Sequence, residues 1–357
     1  DKKIKTFTIG FDNKNFDESI YSKEIAKYLN TDHNEIKLTD KNAYELIPSL
    51  PNIYDEPFAD SSQIPTYFVS KFAKTKVSVA LSGDGGDELF GGYNRYFWSK
   101  KIWNKISYLP FPLRKIIGNL LLNFPKVFWD IFGKSFLFKS DKMSINNLND
   151  KSKKLASRLK SINNLDDLYL SLVSEWREED NILNKSEFKN FNSLKKISNN
   201  LEINHTEKMM FLDKKTYLPD DILCKVDRAS MANSLETRAP FLDSEIIEFA
   251  SNLPINYKIR GYKGKIILRN ILKKFVPEKL FDRPKMGFGI PLNQWLNAGL
   301  KDWVYDTLNI NKIKSEGIIN HLVLEKILYE HFNGKRDWET KIWIVLMFQS
   351  WLDSNNQ

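Results

Sequence analysis

The sequence predicts an α/β fold built on a parallel sheet and followed by a large helical portion. Three observations carry this expectation: short apolar runs near the start, amphipathic helical stretches between them, and a glycine-rich turn directly after the third run. "KIKTFTIGF" reads as a buried first strand, and "DESIYSKEIAKYLN" as a helix opened by Asp17 with apolar positions at Ile20, Tyr21, Ile25, Tyr28 and Leu29. "HNEIKL" is a second strand, "KNAYELIPSL" and "IPTYFVSKFAK" read as helices, and "KVSVAL" is a third strand feeding the turn. From Asp87 onward the pattern is mostly helical, ending in "WETKIWIVLMFQSWL", whose wide apolar face has to pack inward.

Composition narrows the class. With 357 residues, 42% of them hydrophobic, the chain can build a full core as one large domain or a domain with an insertion. The single cysteine, Cys224, excludes an intrachain disulfide and a thiolate metal cage, so a reducing cytoplasm is the expected location. The apolar runs "IWIVLMF" and "IIGNLLLNF" fall far short of the roughly 20 residues a membrane span needs. The opening "DKKIKTFTIGF", without an initiator Met or a signal peptide, predicts a chain cut from a longer protein.

The net charge of +9 is regional: Trp98 to Lys160 holds 14 Lys and Arg against 3 Asp. That region also carries Trp103, Tyr108, Phe111, Phe124, Phe128, Trp129, Phe132, Phe136 and Phe138. Basic plus aromatic is the composition of a nucleic-acid surface. The preferred reading is plainer, an all-helical segment with aromatics on one face and solvated lysines on the other, and docking against a partner domain lies between the two.

The turn "SGDGGDE" follows the third strand, at the end of a parallel sheet where ligands bind. Gly83, Gly85 and Gly86 let the backbone turn sharply and bring amides close to a ligand. Asp84, Asp87 and Glu88 are many charges for a plain turn, and a cation such as Mg²⁺ among them would account for all three. Gly-Asp pairs also occur in ordinary loops, and Asp87 would serve as a helix N-cap for "ELFGGYNRYF".

"LSGDGGDELFGGYNRY", taken with "FTIGF" ahead of "DES", "YDEPFADSS", "YLPDDILCKVDRASMANSLETRAPFLD", "GKIILR" and "RPKMGFGIPL", resembles the synthetase half of glutamine-hydrolysing asparagine synthetases. The likeness runs from about Lys5 to about Leu352 and is weakest between about Lys100 and Asn200. It implies a parallel sheet of the adenine-nucleotide α-hydrolase (ATP pyrophosphatase) type. It divides the chain into a nucleotide-binding part at 1–98, a basic helical region at 99–205, and a mainly helical part at 206–357 that completes the site. The implied chemistry uses ATP and Mg²⁺ to adenylate the aspartate side chain, releasing pyrophosphate; ammonia then gives asparagine and AMP.

By that resemblance, the backbone around Ile9 contacts adenine, while Ser82 and Gly83 hold the nucleoside. Asp84 stands where many of these synthetases carry Glu, a residue linked to forming or aminating the adenylate, and Asp87 helps hold Mg²⁺ and pyrophosphate. Lys265 falls on the lysine that meets departing pyrophosphate, although alone it reads as solvated surface. Arg228, Arg238 and Asp243 take supporting roles, or form a buried structural network. Cys224 reads as a small buried hydrophobe, and His33 as a loop or strand-end residue.

Two of the family's features do not occur in this sequence: the Ser-Gly-Gly-x-Asp-Ser phosphate loop ahead of the first strand, and the glutaminase half with its cysteine after the initiator Met. The chain is therefore expected to be inactive alone, with a second metal ligand and the ammonia supply from glutamine lying elsewhere. Two alternatives stay open: amidation of another carboxylate in surface-sugar or peptide biosynthesis, and a non-catalytic binding module.

Overall fold

The computed structural model describes residues 2–13, 15–123, 156–176, 180–184, 203–283 and 289–355. Strand β1 (Lys5–Phe11) pairs in parallel with β2 (Asp32–Leu38), from Lys5 opposite Asp32 to Phe11 opposite Leu38. Helix α1 (Ser19–Tyr28) makes the crossover that a parallel pair requires. Helix α2 (Asp40–Leu46) opens with a capping box in which the Thr39 hydroxyl accepts from the Asn42 N–H and the Asn42 side chain accepts from the Thr39 N–H. It leads through a 3₁₀ turn into α3 (Leu50–Tyr54), which ends at Asp55 in the left-handed region, φ 59°. Helix α4 (Gln63–Lys74) then returns the chain to β3 (Val79–Leu81).

The third strand does not join the first two. β3 pairs in parallel with β4 (Glu236–Arg238), giving two separate two-stranded sheets where the sequence predicted one. Helix α4 packs on β1 and against the helix Cys224–Met231, so it bridges both pairs, which share no ladder among the described residues. β4 and a short antiparallel hairpin of β5 (Ile259–Arg260) and β6 (Lys263–Gly264) lie where the pattern was read as mostly helical. Runs of two or three residues are too short for a periodicity to show.

The main core lies beneath the carboxyl ends of β1 and β2. Ile9, Phe11 and Leu38 meet Leu46, Ile47, Leu50 and Tyr54 from α2 and α3, and the C-terminal helices close over them with Trp295, Trp343 and Leu346. The closing helix Glu339–Asn355 buries Ile342, Trp343, Val345, Leu346 and Met347, as its wide apolar face predicted. Trp295 Nε1 donates to Asp40 Oδ1 at 2.7 Å, which ties the C-terminal helices to α2.

Helix α1 departs from its predicted face. Ser19 and Ala26 are buried, whereas Ile20, Tyr21, Tyr28 and Leu29 are exposed, at 61%, 45%, 55% and 47%. Small residues let the helix lie close on β1: a Cβ placed on Gly10 would stand 3.1 Å from the Ser19 hydroxyl. Much of the basic region (124–155, 177–179, 185–202) and residues 284–288 of the "RPKMGFGIPL" motif lie outside the described residues, together with Phe124, Phe128, Trp129, Phe132, Phe136 and Phe138.

A second core surrounds Asp213, on the helix His205–Lys215. Its carboxylate, 0% exposed, accepts from Arg95 Nε at 2.9 Å, from the Tyr96 hydroxyl at 2.5 Å and from the Tyr169 hydroxyl at 2.8 Å. Removing one partner of such a set strands the other in a low-dielectric interior. Asp213→Ala is expected to cost about 3–5 kcal/mol in urea unfolding; a loss under about 1 kcal/mol would mean that Arg95 reaches water without it.

Candidate active site

The turn after β3 is shaped by glycines, each with a steric reason. Ser82 N–H donates to Arg238 O at 2.8 Å, extending the β3–β4 pairing by one residue. Gly85 then takes φ 84° and begins the short helix α5 (Gly86–Phe90), which ends at Gly91 with φ 70°. A Cβ at Gly85 would overlap Leu242, and one at Gly91 would overlap Ile259. Asp87 is therefore no N-cap: it lies inside α5, and the expected continuous helix "ELFGGYNRYF" breaks at Gly91 before α6 (Arg95–Ile106) begins.

Opposite this turn, Lys265 is the N-cap of the helix Ile266–Leu272 and adopts the left-handed conformation, φ 57° and ψ 35°. Its N–H donates to Phe90 O at 3.0 Å, and its ammonium lies 3.0 Å from Asp87 Oδ1. Lysine rarely adopts this backbone, at a cost of roughly 1–2 kcal/mol. Glycine makes the meeting possible: a Cβ on Gly92 would overlap both Asp87 Oδ1 and Lys265 Cε, and one on Gly264 would overlap Gly91 O.

Asp87 and Lys265 line a cleft of about 640 Å³, together with Asn94, Trp98, Arg269 and Arg283. Asp282 joins Lys263 Nζ at 2.8 Å and Arg269 Nη1 at 2.9 Å, and hydrogen bonds from these two cations, Lys263 first, hold its carboxyl below the usual range. Arg283 Nη2 lies 3.4 Å from Glu18 and its guanidinium 4.3 Å over the Tyr21 ring, joining the start of α1 to the cleft wall. Phosphate-bearing anions suit such a wall.

The three acids of the turn do not converge. Only Asp87 lines the cleft; Asp84 is partly exposed on the loop, and Glu88 turns inward, 1% exposed, accepting from the Tyr93 hydroxyl at 2.5 Å. Burial pushes the Glu88 carboxyl up, against the pull of that hydrogen bond. Among the described residues no three His, Cys, Asp or Glu side chains could together hold a metal ion. Asp87 suits the single carboxylate of a Mg²⁺ site completed by phosphate oxygens.

The other predicted residues lie apart from the cleft. Ile9 is 3% exposed and faces the apolar core, paired opposite Ile36. Ser82 Oγ is buried without a hydrogen-bond partner among the described residues, and the space about Gly83 is open. Arg228, Arg238 and Asp243 form no buried network: all three are exposed, Arg238 pairs at 2.7 Å with exposed Glu236, and Asp243 caps the helix Ser244–Asn252. Cys224 is only partly buried, with its thiol pushed up by burial, and His33 sits inside β2 against the Thr6 hydroxyl.

Sequence reasoning missed the charged clusters at Asp213 and Asp282, and a third at Lys225. Lys225 Nζ lies 2.5 Å from Asp60 and 3.8 Å from Asp221, at the start of α4 and after a π-helical turn, Leu218–Leu223. The i,i+4 spacing of Asp221 and Lys225 was the available signal; its partner Asp60 is 165 residues away in sequence. Burial, then the Asp60 charge, pushes the Asp221 carboxyl up to about 7.

Two measurements follow. The Lys265–Asp87 pair is partly solvated, at 34% and 23% side-chain exposure, so it contributes under about 1 kcal/mol. Lys265→Gly is expected to leave urea stability equal or slightly higher because backbone strain is relieved, while Gly92→Ala loses about 1–3 kcal/mol; a large loss in Lys265→Gly would make the lysine a support of the fold. Asp221 binds its proton more tightly folded than unfolded, so its contribution is full below about pH 4 and declines as pH rises to about 7. Asp221→Asn is expected to flatten that decline in stability measured against pH, and an unchanged slope would assign it to other groups.

Comparison with known proteins bears on the same residues. A family model described as asparagine synthase matches residues 1–353. Asparagine synthetase (glutamine-hydrolyzing) 1 of Bacillus subtilis is 31% identical over 356 residues, covering 99% of this chain and 52% of that protein. A putative glutamine-hydrolyzing asparagine synthetase of Mycobacterium tuberculosis H37Rv is 30% identical over 362 residues, covering 98% of this chain and 50% of that protein. Amidase chyE of Penicillium rubens is 21% identical over 334 residues, covering 89% of this chain and 48% of that protein. The chain spans about half the length of the curated relatives it matches. With a match along nearly its whole length and the glycine turn facing Lys265 across one cleft, the chain belongs to the asparagine synthase family.

Proposed function

We propose that this chain is the larger part of a synthetase domain that forms asparagine from aspartate, ATP and ammonia. The observation that carries the reading is the Asp87–Lys265 pair: a strained lysine held against a carboxylate, in a cleft lined by paired charges beyond the end of a parallel strand. Backbone strain that contributes little stability is expected where function selects it.

A carboxylate is a poor electrophile. Attack of an aspartate oxygen on the α-phosphorus of ATP breaks the bond to pyrophosphate and gives an acyl adenylate; ammonia then attacks the acyl carbon, AMP leaves, and a proton is lost. Lys265 would exchange Asp87 for the pyrophosphate oxygens and neutralise charge as it builds there. Asp87 would hold Mg²⁺, which when bound supplies Lewis-acid stabilisation of the phosphates. Ser82, with its orphaned hydroxyl, and Gly83, with open space above it, would face the nucleoside, Ile9 would lend its strand backbone to adenine, and Asp84 would act at the adenylate.

The sheets support a missing piece between β1 and β3. Among the described residues β1 pairs only with β2 and β3 only with β4, and Val79 and Leu81 of β3 are 40% and 73% exposed. A strand carrying a phosphate loop, paired to a free edge, would extend these pairs toward a sheet of the nucleotide α-hydrolase type. In this reading ammonia arrives from glutamine through a glutaminase domain outside these residues. Similarity to an amidase keeps a second acceptor carboxylate in view.

In a protein carrying the upstream segment, AMP and pyrophosphate should appear only when aspartate and ammonia are both supplied. Lys265→Ala should lower kcat by about a hundredfold or more with an unchanged melting temperature. Turnover with other carboxylates and none with aspartate would favour the second acceptor, and no AMP with any acid would leave a binding module.

A further inference from the structure

We propose that Tyr93 and Glu88 are positioning residues whose buried hydrogen bond sets the direction in which Asp87 faces Lys265. The proposal rests on reading Asp87 and Lys265 as the pyrophosphate-binding pair. Helix α5 has five residues, begins and ends on left-handed glycines, and has no side-chain cap. One isolated helical turn does not hold its own orientation, so tertiary ties must set it. On a helix, neighbouring residues point about 100° apart. Turning Glu88 inward therefore turns Asp87 sideways, toward the cleft.

Tyr93 is well placed to hold Glu88. Its hydroxyl donates to Glu88 at 2.5 Å, and its ring is covered by the Arg95 guanidinium at 4.1 Å and by Tyr217 at 5.6 Å, edge on. Arg95 is itself fixed through Nε to the fully buried Asp213. A line of contacts thus runs from Asp213 through Arg95 and Tyr93 to Glu88, one residue from the cleft. Gly92 N–H donates to Asp87 O at 2.8 Å, so any drift of Tyr93 is passed along a short, taut segment. Leu89 and Phe90, both 2% exposed, fix the apolar face of the helix, and the Glu88–Tyr93 bond adds the polar tie on the residue next to Asp87.

The test is binding of inorganic pyrophosphate with Mg²⁺, by calorimetry, to a protein that carries the upstream segment, at a temperature where every variant is folded by circular dichroism. Tyr93→Phe keeps the ring and the Arg95 contact but loses the donor; Glu88→Leu loses the acceptor; Glu88→Gln keeps it. Tyr93→Phe and Glu88→Leu should each weaken binding at least about fivefold, with Glu88→Gln within about twofold of wild type. Wild-type affinity in folded Tyr93→Phe or Glu88→Leu would overturn the proposal, as would a Glu88→Gln loss equal to that of Glu88→Leu. Lys265→Ala separates the two readings. If it abolishes binding while Tyr93→Phe does not, only the positioning role falls; if it changes nothing, or wild type binds no pyrophosphate, the anion site falls as well.

Discussion

The close approach of two backbone turns, Gly91–Gly92 on one side and Gly264–Lys265 on the other, is the constraint around which the cleft is built. A Cβ on Gly91 would overlap Ile259, one on Gly92 would overlap Asp87 and Lys265 Cε, and one on Gly264 would overlap Gly91 O. The approach forces Lys265 into a conformation that glycine or asparagine would adopt more readily. A lysine there is understandable only if its ammonium matters more than its backbone comfort. The hairpin, the helix after it and the short helix α5 all follow from keeping those turns in contact.

Buried charge organises the surroundings. Asp213 accepts three donors in a core of tyrosines and methionines, and Lys225 sits between Asp60 and Asp221. Burying such groups costs more than apolar side chains of the same volume would. What they add is direction, since a hydrogen-bonded carboxylate accepts one arrangement of its neighbours whereas a leucine accepts several. Tyr93, Arg95 and Tyr217 run between the turn and the π-helical segment, so the two charged clusters share one aromatic wall.

Around the N-terminal strands several large apolar side chains reach the surface. Leu81, Val79, Ile20, Tyr21 and Tyr28 are all exposed, while Lys5 at the start of β1 donates to Lys76 O, just ahead of β3, at 3.2 Å. No helix among the described residues is long and apolar enough to cross a membrane.

By itself the sequence determined the local chemistry: the parallel crossover at β1 and β2, the inward face of the last helix, and the glycine turn after β3 were legible from short-range pattern, because strand alternation and helical spacing are written in neighbouring residues. The motif order also named Asp87 and Lys265, which lie 178 residues apart, though no spacing rule could have joined them. Only the tertiary structure decided that Glu88 turns inward while Asp87 lines the cleft, that Arg228, Arg238 and Asp243 stay on the surface, that β3 pairs with distant β4, and that Asp60 meets Lys225. Those outcomes depend on which long-range surfaces meet, and a residue's neighbours in sequence carry almost no information about its neighbours across a core.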